Sequence, residues 1–255
     1  MGDGLQYLVN SADHRFPAVA TMRYSVVTGD DGLHEVREEG DRLDAVAEPD
    51  DVLDLVYRRV HQRAFELASL RGWVRLHAAV VDGPAGRTLL VASSGTGKTT
   101  LSCRLLLDGL SVPADESTLV RSGVALPVAR RFHLKANLEA AVPAVARFAE
   151  GLPSLDDGSI RAFDPGEAGM PWTIGAAPVA QVVLLERGSG PSTLDPASAV
   201  AVMPTIVAEA FKHQEPTGTL LAEIAGLLDR ARCWRLVMGS VDEGASLVAS
   251  LSTGG

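Results

Sequence analysis

The run Leu89-Leu90-Val91-Ala92-Ser93-Ser94-Gly95-Thr96-Gly97-Lys98-Thr99-Thr100 carries an apolar strand into a glycine-rich turn that ends in Gly-Lys-Thr. Such a turn binds phosphate. Gly95 and Gly97 let the backbone direct N–H groups inward, Lys98 brings a point charge toward the β and γ phosphates, and the Thr99 hydroxyl can hold Mg²⁺. The reading predicts a site for ATP or GTP lined by Ser93, Ser94, Gly95, Thr96, Gly97, Lys98, Thr99 and Thr100. Ala92 stands where the usual pattern has its first glycine, and a methyl is tolerated there if φ is negative. The competing reading is a Ser/Gly-rich turn before an ordinary helix.

Phosphoryl transfer also needs the acceptor oxygen positioned and deprotonated, so a carboxylate is expected near the loop. Asp115 and Glu116 follow the strand after the loop helix, at the strand end where open α/β sheets bind ligands. Asp115 is assigned as general base and Glu116, with Thr99, as a Mg²⁺ partner; a polar turn is the alternative. Glu186, at the exit of Val182-Val183-Leu184-Leu185, is a rival for the metal. His77 lies in an apolar run on the strand beside the one feeding the loop, where it is either a core residue or a proton carrier and phosphate partner. Arg130, Arg131 and Lys135 form a basic cluster in an otherwise acidic chain, and Arg130 and Lys135 are candidate contacts to the γ-phosphate or an acidic acceptor.

The elements that must position these residues read as α/β. Residues 1–48 look like a small β-rich lobe with strands over 6–9, 22–27 and 33–36, and residues 49–255 like one larger domain. A helix is expected from Pro49 to about Leu70, ended by Gly72. Residues 74–81 and 88–91 form a hairpin leading into the loop, and Leu101, Leu105 and Leu106 mark the loop helix. A brief strand over 110–112, a hairpin over 118–126, a helix over 137–148 and a long loop over 151–178 follow. A central strand over 179–185, helices over 196–211 and 220–232, a strand over 234–238 and a helix over 243–251 close the domain. The sheet is expected to be of mixed direction rather than a pure βαβ alternation.

At 255 residues, 46% apolar and 22% charged, the chain has the composition of a globular domain with a substantial core. A net charge of −9 without basic runs argues against nucleic acid and anionic membrane as partners. No stretch reaches the roughly 18 apolar residues of a membrane span, and no leader pattern opens the chain, so a cytoplasmic location is expected. A homo-oligomer is compatible with this composition. Cys103 and Cys233 have no C-x-x-C spacing and read as buried thiols; the histidines form no close metal pair.

His77-Ala-Ala, the loop with its Thr-Thr-Leu-Ser continuation, and Ala114-Asp115-Glu116 together resemble the catalytic core of the HPr serine kinase/phosphorylase family. The loop also resembles that of ATP-dependent phosphoenolpyruvate carboxykinase, whose fold that family shares. The similarity runs over about residues 74–121, with a looser echo in Phe132-His133-Leu134-Lys135 and in residues 182–187. The resemblance implies a P-loop kinase core with a mixed sheet, an active centre of His77, Lys98 and Asp115, and Asp115 as proton acceptor. Glu116 replaces the family's second Asp, and the family's later acidic metal motif and arginine loop are not found. The chain looks closer to single-domain HPr-kinase-like proteins of natural-product pathways, which implies a hydroxyl-bearing acceptor, above all a serine, on a peptide, protein or small molecule. Against this ATP- and Mg²⁺-dependent kinase stand a non-catalytic ATP-binding regulatory or assembly protein and, disfavoured by length, a carboxykinase-like decarboxylase.

Overall fold

Val182, Val183, Leu184 and Leu185 are all buried, so their strand is covered on both faces and must lie inside a layered structure. The computed structural model describes residues 12–14, 22–135, 142–144, 154–155, 160–211 and 217–253. The chain divides into two units, residues 1–10 with 16–71 and residues 11–15 with 72–255. A two-residue strand, β1 (Asp13–His14), belongs to the larger unit.

The smaller unit is an antiparallel sheet of β2 (Tyr24–Thr28), β3 (His34–Glu38) and β4 (Asp41–Val46), in that order, with helix α1 (Pro49–Ser69). Pro49 in the first turn and Asp50 and Asp51 beside it suit the start of α1, where a missing N–H costs nothing and negative charge meets the positive end of the helix dipole. The helix, expected with the larger domain, belongs to this unit instead, where its Arg59 and Arg63 pair with a buried carboxylate on β3. Glu38 is 5% exposed and accepts hydrogen bonds from the Tyr24 hydroxyl at 2.9 Å, Arg59 Nη2 at 2.9 Å and Arg63 Nη2 at 2.6 Å. The strand expected over residues 6–9 lies outside the described residues.

The larger unit begins with β5 (Val74–Leu76), β6 (Ala78–Gly83), β7 (Gly86–Val91), α2 (Lys98–Leu107), β8 (Ser111–Ala114), β9 (Thr118–Arg121) and β10 (Val124–Pro127). Next come β11 (Phe132–Lys135), β12 (Ser154–Leu155), β13 (Ile160–Phe163), β14 (Thr173–Ile174) and β15 (Ala177–Arg187). The chain closes with β16 (Thr193–Pro196), α3 (Ala199–Phe211), α4 (Gly218–Arg230), β17 (Arg232–Met238) and α5 (Val241–Thr253). Nine of these strands make one sheet in the order β5-β9-β10-β15-β7-β6-β8, with β17 also on β15 and β16 on β17. β15 is long enough to hold two neighbours along one edge, β10 at Ala177 and Pro178 and β17 from Gln181 onward. It runs parallel to β7 and β17, whereas β6, β8, β9, β10 and β16 pair antiparallel, so the protein is mixed α/β with a mixed sheet and small antiparallel sheets beside it. Leu90, Val183, Leu236, Leu101, Leu105 and Val248 pack on one face of the sheet, and Leu89, Val182, Leu184, Ile206, Leu220 and Ile224 on the other.

Two expectations change. The single strand read over 74–81 breaks at His77, because β5 pairs with β9 while β6 pairs with β7 and β8. The segment read as a long loop over 151–178 contains β13 on β11 and β14 on β1, since tertiary pairing outweighs a Gly/Pro-rich composition there. Phe163 and Trp172 are buried around Phe132 with ring centroids 6.2 and 6.3 Å away, which holds that segment against the core. The helix expected over 137–148 falls almost wholly outside the described residues.

Candidate functional site

Three chain segments meet at one end of the sheet because of strand direction. β6 is antiparallel to β7 with Ala78 opposite Val91, so His77 stands beside the start of the glycine-rich loop. β8 is antiparallel to β6 with Ala114 opposite Val80, which brings Asp115 and Glu116 to the same end. His77 and residues 115–117 are the links by which the chain passes from the β6-β8 part of the sheet to the β5-β9 part.

The loop itself is set by its glycines. Gly95 has φ +82° and Gly97 φ +109°, the left-handed region where a side chain is strained, and Gly97 caps α2. Thr96 N and Oγ1 both donate to Ser93 O, at 3.2 and 2.7 Å, which closes the turn. Ala92 has a negative φ and its methyl is buried in the core beneath the loop, which explains why alanine serves at this position. Ser93, Ser94 and Gly95 are exposed, Thr96, Gly97, Thr99 and Thr100 partly so, and Lys98 is buried.

The loop's two chemical side chains turn toward the β6-β8 side. Lys98 Nζ donates to His77 O at 3.2 Å, and Thr99 Oγ1 donates to Asp115 Oδ2 at 3.1 Å. Asp115 is 2% exposed, and its second oxygen, Oδ1, is buried without a hydrogen bond from any of the described residues. Burial is the largest influence on this carboxyl and pushes its pKa up to about 6; Glu116 adds to the rise, while Arg130, the Thr99 hydroxyl and Lys98 oppose it. Glu116 behaves in the opposite way. Burial raises it, but the charge of Arg130, with His77, His133 and Lys98, outweighs burial and holds it below the usual range. Arg130 forms an ion pair with Glu116. Neighbouring acids in sequence are thereby separated into one that keeps its proton toward neutral pH and one that stays charged.

Of the predicted residues, the structure brings together His77, Lys98, Thr99, Asp115, Glu116 and Arg130. The rest of the basic cluster has other surroundings. Arg131 is buried and pairs with Glu167 at 2.6 Å, and Lys135 is exposed, with no side-chain hydrogen bond or ion pair among the described residues. Glu186 pairs with Arg235 at 2.6 Å. Cys103 and Cys233 are free and buried. Sequence reasoning missed the part played by His133, which acts on Glu116 from β11, and Arg75, whose Nη2 donates to Ser117 Oγ at 3.1 Å. It also missed Arg187, whose Nε donates to Thr96 O at 3.1 Å. The alternation of β11 and the exit position of Arg187 on β15 were the available signals.

Among the described residues no group of three or more His, Cys, Asp or Glu could hold a metal ion, and no helix is long and apolar enough to cross a membrane. The Thr99 hydroxyl, with the Asp115–Glu116 pair beside it, suits a hard cation that takes most of its ligands from a phosphate chain. Comparison with protein-family models and with curated protein sequences gives no match.

Proposed function

We propose that the chain is an ATP-dependent kinase of the HPr-kinase-like type, transferring the γ-phosphate to a hydroxyl, above all a serine, of a peptide, protein or small-molecule acceptor. The observation that carries this is the Thr99–Asp115 contact at 3.1 Å with Asp115 Oδ1 buried and unbonded. A P-loop alone serves any nucleotide protein; a buried acid of raised pKa aimed at its threonine is what a base for phosphoryl transfer requires.

In this reading the loop N–H groups and Lys98 bind the β and γ phosphates. Mg²⁺ would be held by the Thr99 hydroxyl, with the acid pair beside it, and would supply charge neutralisation on the phosphates. Asp115 takes the acceptor's hydroxyl proton as that oxygen bonds to the γ-phosphorus and the bond to the β–γ bridging oxygen breaks, releasing ADP. Glu116, fixed by Arg130, keeps Asp115 basic by its negative charge. His77 offers its main-chain carbonyl to Lys98 and its ring to the field around Glu116. A non-catalytic ATP sensor is the second reading. It is favoured by the fact that Lys98 and Thr99 already have partners within the protein, so an arriving nucleotide displaces contacts that report occupancy.

Calorimetry with Mg-ATP and mass spectrometry of candidate peptides incubated with Mg-ATP separate the readings. A kinase binds ATP and adds phosphate to one of them, and Asp115→Asn retains binding and loses transfer. Binding that is normal with no transfer to any acceptor favours the sensor; absence of ATP binding removes both.

A further inference from the structure

The loop is occupied asymmetrically. Both of its chemical side chains turn to the β6-β8 side, Lys98 to His77 O and Thr99 to Asp115, whereas β15 borders β7 on the opposite side. A nucleoside triphosphate whose outer phosphates lie toward Lys98 and Thr99 must therefore send its nucleoside the other way, over the ends of β15 and β17. β15 runs parallel to β7 with Leu184 opposite Val91 and continues to Arg187, which reaches the same end of the sheet.

Arg187 is exposed and hydrogen-bonds once, from Nε to Thr96 O at 3.1 Å; its two Nη nitrogens have no hydrogen-bond or ion-pair partner among the described residues. The neighbouring acid, Glu186, is taken by Arg235. The surroundings are small and fixed. Gly188 N donates to Met238 O at 3.0 Å, and Ser192 Oγ accepts from Gly239 N at 3.0 Å and Ser240 N at 3.2 Å. Gly190 O lies so close to Gly239 that a Cβ there would stand 1.7 Å from it. The guanidinium is anchored by its Nε at Thr96, has no carboxylate partner among the described residues, and holds Nη2 3.5 Å from where a Cβ on Gly97 would stand, so it lies at the loop's rim with its plane available to a planar ring.

We infer that Arg187 is the floor of a nucleoside subsite and stacks on the purine base of the bound nucleotide, an inference that rests on the nucleotide reading of the loop. The guanidinium reads the π-face and not the base edge, so it serves adenine and guanine alike.

The test compares binding of Mg-ATP with binding of Mg-tripolyphosphate, which has the phosphates and no nucleoside, in the full-length wild-type protein, Arg187→Ala and Arg187→Lys. Arg187→Ala should bind ATP about tenfold more weakly, the scale of a cation–π contact of ~1–2 kcal/mol, and tripolyphosphate within about twofold of wild type. Arg187→Lys keeps the charge without the plane and should resemble the alanine variant, and GTP should lose affinity in parallel with ATP. Equal losses for ATP and tripolyphosphate would make Arg187 a phosphate contact or a loop clamp, and full recovery by lysine would make it a bare charge; either overturns the inference, as does an unchanged ATP affinity. Wild-type protein that binds neither ligand removes the nucleotide reading itself. Wild-type protein that binds ATP, loses it in Lys98→Ala and ignores Arg187→Ala removes only the subsite.

Discussion

Glu38 in the smaller unit and Asp115 in the larger are both buried carboxylates with arginine nearby, and the protein treats them in opposite ways. Both oxygens of Glu38 accept hydrogen bonds, from Tyr24, Arg59 and Arg63. The Arg63 hydrogen bond, against the cost of burial and with help from Arg59 and Tyr24, lowers its pKa to about 2. Among the described residues Asp115 receives one hydrogen bond, from Thr99, and keeps one oxygen bare, so burial prevails and its pKa rises to about 6. A satisfied carboxylate ties strand to helix. An unsatisfied one beside the glycine-rich loop is held at a cost in stability, which the proposed kinase reading accounts for and packing alone does not.

The strongest way to break this contrast is Asp115→Asn. Transfer should fall by about 10²- to 10⁴-fold with Mg-ATP affinity largely kept, read by steady-state kinetics and calorimetry. The same variant should gain stability. A raised carboxyl pKa means that wild type loses folding free energy as pH climbs from about 3.8 to about 6, so denaturation should show the asparagine protein ahead by up to about 3 kcal/mol above pH 6 and level with wild type in acid. A destabilised Asp115→Asn would put Asp115 in the same structural class as Glu38.

Next in size, Lys98→Ala should weaken Mg-ATP about 10- to 100-fold, the worth of a charged hydrogen bond, without unfolding the protein; unchanged calorimetric affinity would remove the loop from the nucleotide site. Glu38→Gln should leave transfer chemistry untouched and destabilise the smaller unit by ~1–3 kcal/mol at neutral pH. Its sign with pH is the reverse of Asp115. The stabilisation is present above about pH 4.5 and disappears as pH falls toward 2, so the gap between wild type and variant should close in acid. Lys135→Ala should change the acceptor KM by no more than about twofold, as expected of an exposed side chain; a tenfold rise would return this residue to the site.

The turn itself was legible because its geometry is local. Gly95, Gly97, Lys98 and Thr99 act within one turn, and the apolar strand and helix flanking them are readable from their periodicity. The expected helix bounds at α3, α4 and α5 lie within a few residues of those observed. Long-range pairing was not legible. The break at His77 depends on β9 and β8 capturing the two halves of one apolar run, and β13 and β14 exist because distant strands receive them. Arg130, Arg131 and Lys135 look alike as a cluster, but their fates are set by Glu116, by Glu167 and by solvent, none of which sequence proximity encodes.

The pH titration of the Asp115 carboxyl carbon, followed by NMR in wild type and in Glu116→Gln, tests the central claim most directly. The account predicts a wild-type midpoint near 6 that moves down in Glu116→Gln, because the neighbouring negative charge is gone and Arg130 is released to act on Asp115. A wild-type midpoint at the ordinary carboxylate value, unmoved by Glu116→Gln, would contradict it and leave Asp115 as a second structural acid beside a loop of another purpose.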